Sequence, residues 1–418
     1  ASGVIFVHGS ETIIHPNSDT KYEFHQDSNF YYLSRVHEPG FAATYNIALE
    51  MAILFVNHVS DDKAVWIGVP PSLDTYCIAH GVDQAHYTFD VEKVLSALKP
   101  STVYMLKYTN TEQLGALLAS IINHRTLLDP LHEARVFKDK FDIDVMRRAN
   151  CQVCGRFVGL VLSKNSMYKA YGSIAACGHI AAGLHYAKNN QLLENADEMI
   201  LVDAGATFEN YASDITHTWT VGLTFLPLCR DIYEIVLDMQ KQVIQACGPN
   251  KQWEDMHNPA NSVAAQGLIK LGILHGLIKA ILDNFVVGYF MPHGIGHLIG
   301  TAHLIGIDTH DVGGYPTGTE RVNEPGLWYL HACREMMFNM MFTVEPGLYF
   351  VNNMLSGANS LPEIAQYIDF DKVAEYRCVG GIQIEDNIII TESGYDNLMA
   401  CSKDVDELES IRAIAYKQ

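Results

Sequence analysis

Met291-Pro-His-Gly-Ile-Gly-His-Leu-Ile-Gly300 and the Ile307-Asp-Thr-His-Asp-Val-Gly-Gly-Tyr-Pro316 that follows set His293, His297 and His310 among glycines. Neutral imidazole is the commonest protein metal ligand, and glycine lets backbone approach a bound ion or substrate closely. Taken alone the stretch does not specify a metal site, because a buried turn also accommodates hydrogen-bonded structural histidines. Its weight comes from carboxylates elsewhere in the chain.

Met199-Ile-Leu-Val-Asp203 is an apolar run of strand length ending in aspartate at Ala204-Gly205. Asp214 follows eleven residues later in Tyr211-Ala-Ser-Asp-Ile-Thr-His-Thr-Trp219, where period-two alternation sets Asp214, Thr216 and Thr218 on one face. So short a connection folds the two runs as an antiparallel pair and brings the aspartates together. Two adjacent carboxylates repel unless cations lie between them. Glu345 ends the apolar run Phe342-Thr-Val before Pro346-Gly347. Glu385 sits in a β-branched strand, Gly380-Gly-Ile-Gln-Ile-Glu-Asp-Asn-Ile-Ile-Ile390, where Gln383 and Glu385 share the face opposite Ile382 and Ile384. A charge there is costly unless paired or coordinated. Asp203, Asp214, His297, Glu345 and Glu385 offer one nitrogen and four carboxylates, a hard set suited to Mn²⁺ and compatible with Co²⁺ or Zn²⁺. Five ligands exceed a tetrahedral zinc site, so two divalent cations bridged by carboxylates fit them better.

The 418 residues, 48% apolar and 18% charged, are enough for two or three domains with sizeable cores. A net charge of −20 argues against nucleic acid or an anionic membrane as partner. No apolar run is long enough for a membrane span, and the first residues are not those of a signal peptide, so a cytoplasmic protein is expected. Cys151-x-x-Cys154 is the only close cysteine pair and is read as reduced thiols in a helix. Up to about residue 128 the pattern is α/β. Val4–His8, Ala52–Val56 and Thr102–Leu106 have strand length, and Val91–Leu98 and Thr111–Ile122 have helical spacing. Phe30-Tyr-Tyr-Leu33 reads as a core strand before the Glu38-Pro-Gly40 turn. Beyond 128, helices are expected at Asp142–Arg148, Arg230–Cys247 and Gly267–Leu282.

In these contexts the ordered set Asp203, Asp214, His297, Glu345, Glu385 resembles the pita-bread metallopeptidases: prolidase, aminopeptidase P and methionine aminopeptidase. The likeness is greatest to eukaryotic-type prolidase, the Xaa-Pro dipeptidase. Leu184-His-Tyr186, Tyr211–Thr216, Phe290–His297, Asp308–Pro316 and Thr343–Gly347 read as that family's blocks, and Phe30–Gly40 fits it too. The resemblance implies an α/β (α+β) fold, with an N-terminal α/β domain over 1–128 and a pita-bread catalytic domain over 129–418, commonly in a homodimer. It implies Asp203 on one Mn²⁺, Asp214 and Glu385 bridging two, and His297 and Glu345 on the other. A hydroxide bridging the metals would attack the X-Pro bond of a dipeptide while Glu345 moves its proton. His185, His293 and His310 match family histidines near the substrate, and His310 could donate a hydrogen bond to the developing oxyanion.

The pattern is also broken. His297-Leu-Ile-Gly300 recurs as His303-Leu-Ile-Gly306, six residues more than the family carries, and the intact Gly-Ile-Gly turn before His297 favours it over His303 as ligand. Where prolidases hold the dipeptide carboxylate with arginines, this chain has His331 and Gln383, neither a permanently charged fork. The usual Pro-Gly turn before the glutamate strand is Phe338-Asn-Met340. The missing clamp leaves two alternatives to the dipeptidase: aminopeptidase P-like cleavage of longer X-Pro peptides, and a catalytically silent binding module of the same fold.

Overall fold

A computed structural model describes residues 3–14, 24–59, 70–109, 111, 114–153, 169–184, 186, 189, 195–291, 303–316, 318–320, 332–399 and 401–415. The chain divides into two compact units, Ala1–Arg135 and Val136–Gln418. The sequence boundary at 128/129 falls at the start of a helix, Leu128–Val136. Among the described residues no helix is long and apolar enough to cross a membrane.

The first unit is built on a six-stranded sheet. Its strands are β1 (Gly3–His8), β2 (Ala42–Asn46), β3 (Met51–Val56), β4 (Gln84–Tyr87), β5 (Thr102–Tyr104) and β6 (Ile122–Asn123), in the order β4-β3-β2-β1-β5-β6. The three central strands pair antiparallel and the flanking pairs are parallel. The run Ile53-Leu-Phe-Val56 is apolar throughout because both sheet faces are covered. Ile53 and Phe55 join one core with Val91 and Leu95, whereas Leu54 and Val56 join another with Phe30 and Tyr76. Two expectations are corrected here. Phe30–Leu33 lies in a helix, Ser28–Ser34, because Asp27 caps it by accepting from the Phe30 amide at 2.7 Å. Of Thr111–Ile122, only Ala116–Ala119 is helical among the described residues, and Ile122 has joined the sheet by pairing with Val103.

The second unit carries β7 (Ile174–Cys177), β8 (Met199–Asp203), β9 (Thr207–Phe208), β10 (Tyr211–Ala212), β11 (Thr216–Thr220), β12 (Met341–Val344), β13 (Gly347–Tyr349), β14 (Gly381–Gln383), β15 (Asp386–Ile390) and β16 (Tyr395–Asn397). All its described pairings are antiparallel: β11-β8-β7, β12-β15-β16, β13 with β14 and β9 with β10. Their core is completed by the helix Pro227–Ala246, which buries Ile232, Tyr233, Val236, Met239 and Val243. Each such side chain is worth roughly 1.5–3 kcal/mol of transfer free energy. The single helix expected over Gly267–Leu282 is instead the end of His257–Lys270 and a separate Ile278–Asp283. Gly272 (φ 75°) and Gly276 (φ 115°) take backbone conformations that stop a right-handed helix. Asn339 (φ 66°) serves as the left-handed residue of the turn into β12.

Candidate metal centre

β8 and β11 pair with Asp203 opposite Thr216, so Asp214, two residues before Thr216, lies next to Asp203. Gly205 permits this crossing, since a Cβ there would meet the Ser213 carbonyl oxygen at 1.9 Å. Glu345 follows β12, and its Oε1 accepts from Thr343 Oγ1 at 3.0 Å. Glu385 was expected inside one continuous strand. It stands instead between β14 and β15, where the chain leaves β13 as partner and takes up β12. There its amide donates to the Thr216 carbonyl (2.9 Å) and its Oε2 accepts from Thr216 Oγ1 (2.7 Å). The face that alternation assigned to Thr216 and Thr218 is thus used twice, for Thr218 Oγ1 donates to the Gln383 carbonyl at 2.9 Å.

The imidazole among these carboxylates belongs to His303. Its backbone is stitched to Thr343, with the Thr343 amide 2.9 Å from its carbonyl and its own amide 3.0 Å from Thr343 Oγ1. Nδ1 lies 3.0 Å from the Leu304 carbonyl, which directs Nε2 inward, 3.2 Å from Asp214 and 3.7 Å from Glu345. A backbone carbonyl holding one ring nitrogen is the usual support for a ligand at the other. Ligand atoms of Asp203, Asp214 and Glu385 lie within 4.8 Å of one another, as do those of His303, Glu345 and Glu385, and those of Asp214, His303 and His310. All these residues line a cavity of about 490 Å³ with Ala170, Tyr171, Gly172, Ile174 and Thr309.

Burial without neutralisation shapes the charges. Burial, then the neighbouring Asp214 charge, pushes Asp203 and Glu385 well above the usual carboxylate range. Burial raises Glu345 to about 8 against the opposing pull of His303. Burial works against a proton on His303, but the hydrogen bond to Asp214 and the Glu345 charge outweigh it and raise the ring to about 9. The Tyr171 hydroxyl contacts Oδ1 of both Asp203 and Asp214, and burial holds its own proton firmly. Glu385 Oε1 is buried with no partner among the described residues. An orphaned carboxylate oxygen and several carboxyls whose ionisation burial opposes fit a site made for divalent cations.

Of the residues read from sequence, Asp203, Asp214, Glu345, Glu385 and His310 are brought together. The His310 ring sits 4.5 Å from that of His303 at the exposed side of the cavity. Gln383 is buried behind Glu345, its Nε2 donating to Glu345 Oε2 at 3.3 Å and its Oε1 accepting from Tyr349. His185, His293, His297 and His331 lie outside the described residues, as does Cys154. Tyr171 carried no local signal in the sequence, since Ala170-Tyr-Gly172 matches no metal or catalytic spacing.

The sequence profile of metallopeptidase family M24 matches residues 137–392. The chain belongs to metallopeptidase family M24. The profile of the aminopeptidase P N-terminal domain matches residues 1–104. A probable Xaa-Pro aminopeptidase of Aspergillus clavatus is 32% identical, covering 98% of this chain and 93% of its own. One from Metarhizium robertsii is 34% identical, covering 99% and 93%. Among solved structures, Escherichia coli aminopeptidase P with the inhibitor Pro-Leu superposes with TM-score 0.80 at 25% identity, over 100% of this chain and 95% of that one. The Pseudomonas aeruginosa aminopeptidase PepP reaches 0.82 at 24% identity with the same coverage, which speaks for the fold. This M24 chain therefore has the two-domain α/β and pita-bread fold that the resemblance implied.

Proposed function

We propose that this M24 protein is an Xaa-Pro aminopeptidase that removes the first residue from peptides longer than a dipeptide. The observation that carries the reading is the convergence of Asp203, Asp214, Glu345, Glu385 and His303 as overlapping ligand sets that share Glu385. Asp203, Asp214 and Glu385 would hold one divalent cation and His303, Glu345 and Glu385 a second, with Mn²⁺ the best match to so oxygen-rich a set. When bound, such a pair supplies a water acidic enough to attack at neutral pH and positive charge for the scissile carbonyl oxygen.

The chain's own residues do the rest. Glu345, oriented by Thr343 and Gln383 at its two oxygens, takes the proton of the attacking water and returns it to the proline nitrogen as the C–N bond breaks. His310, at the exposed side of the cavity, donates a hydrogen bond to the carbonyl oxygen as it gains charge. Thr216 and Tyr171 keep the carboxylates in place.

The aminopeptidase is favoured over the dipeptidase first read from sequence. The relatives are named Xaa-Pro aminopeptidases. Among the described residues lining the cavity none is Lys or Arg, so none of these offers a fixed cation to a dipeptide's free carboxylate. Gln383, at an expected arginine position, is engaged by Tyr349 and Glu345. The test compares Ala-Pro-Ala with Ala-Pro, with and without Mn²⁺, following release of alanine. Cation-dependent cleavage of the tripeptide, with kcat/KM for the dipeptide at least about tenfold lower, is expected, equivalent to one lost charged contact of about 1.4 kcal/mol. Preference for Ala-Pro would restore the dipeptidase, and no hydrolysis by cation-loaded protein would leave only the silent module.

A further inference from the structure

Lys138 and Asp311 form an ion pair that takes no part in the chemistry proposed above. Lys138 Nζ lies 2.9 Å from Asp311 Oδ2, and the two side chains are only 2% and 1% exposed. Asp311 directly follows His310, and both ends of the pair are anchored. The Lys138 amide donates to the Asn339 carbonyl at 2.9 Å, at the entry to β12, the strand that leads to Glu345. The Asp311 amide donates to the Leu304 carbonyl at 2.8 Å, closing the loop that starts just after His303 and ends just after His310. That loop is folded down on the pair. A Cβ on Gly306 would fall 2.0 Å from Asp311 Oδ2 and 3.0 Å from Lys138 Nζ, and the Gly306 carbonyl accepts from the Ala212 amide, two residues before Asp214.

We propose that Lys138 and Asp311 are positioning residues that set the place of His310 over the reacting carbonyl. This rests on the peptidase reading. An exposed histidine on a loop has many rotamers and backbone placements. A desolvated ion pair one residue away admits very few, because any movement that parts the charges gives up their attraction while both stay out of water. The two histidines then hang from opposite ends of one closed loop, and their rings meet at 4.5 Å. A displacement of about 1 Å in such a group can cost up to about a hundredfold in rate.

The test is a double-mutant cycle on the cation-loaded full chain with Ala-Pro-Ala, recording kcat, KM, cations bound per chain and melting temperature. His310→Ala is expected to lower kcat about a hundredfold. Lys138→Met and Asp311→Asn should each lower kcat about tenfold or more. In both, KM should stay within about threefold and the cation content should be unchanged. Lys138→Arg should restore most of the loss. The decisive variant is Lys138→Met/His310→Ala, which should be no slower than His310→Ala alone. Multiplied losses in the double variant, or loss of cations in Lys138→Met, would overturn the positioning role. Should Lys138→Met not fold, Asp311→Asn with and without His310→Ala makes the same comparison. An inactive wild-type protein would refute the peptidase reading and take this inference with it.

Discussion

Stripping the protein of divalent cations should reveal a stability deficit that widens as pH rises. Glu345 and Glu385 are buried and Asp203 half-buried in one cluster, and burial, the largest cause in each case, raises all three carboxyls. Glu345 ionises at about 4.5 in the unfolded chain but about 8 in the folded protein. Between those values the folded state binds more protons than the unfolded one, so stability is full below 4.5 and is lost as pH climbs through 8. At 1.36 kcal/mol per pH unit this amounts to about 5 kcal/mol at most. His303 acts in the same direction. Its folded value of about 9 lies above the ordinary 6.5, so its contribution is complete below 6.5 and lost as pH rises through 9. Bound cations take over the neutralising role of these protons and displace them, so the loaded protein should have the flatter profile. The assay is thermal melting of chelator-treated and Mn²⁺-loaded protein from pH 5 to 9. The gap between the profiles should grow by roughly 5–10 °C if the whole of that energy is expressed. A gap that is constant or narrows with pH would show that these carboxyls are not the groups the cations neutralise.

Other outcomes follow from single side chains. His303→Ala should remove at least one of the two cations and abolish hydrolysis, whereas His297→Ala should keep both; the reverse result in metal analysis would return the nitrogen ligand to His297. Gln383→Arg should improve Ala-Pro relative to Ala-Pro-Ala by about tenfold in kcat/KM, because a guanidinium can hold the free carboxylate. An unchanged ratio would show that position 383 does not reach the substrate's end. Gly306→Ala should lower stability by about 1–3 kcal/mol in denaturant unfolding, the usual cost of forcing atoms into a filled space. An unaltered midpoint would mean that the loop over Lys138 and Asp311 yields freely.

How far the site could be read ahead of the fold depends on how local each signal is. Asp203, Glu345 and the Asp214–Thr216–Thr218 face were legible because strand ends and period-two alternation are properties of a few consecutive residues. Glu385 was legible as an anomalous charge among isoleucines. That it marks the passage of the chain from β13 to β12 was not, because strand partners are distant in sequence. Phe30–Leu33 misled because buried aromatics serve strands and helices alike, and one capping aspartate decided between them. Tyr171 was invisible, since its contacts with Asp203 and Asp214 cross more than thirty residues of chain.

The sequence by itself determined the family, the order of the carboxylates along the chain and the hard character of the donor set. Between two copies of His-Leu-Ile-Gly it favoured the first, on the local ground of the Gly-Ile-Gly turn before His297, a turn that carries no information about which imidazole meets the distant carboxylates. The tertiary structure brings His303 to the acidic cluster and sets Gly306 so close to Asp311 and Lys138 that even a methyl group there would push them aside. A ligand is defined by where its nitrogen stands among groups drawn from the whole chain, and that position exists only once the chain has folded.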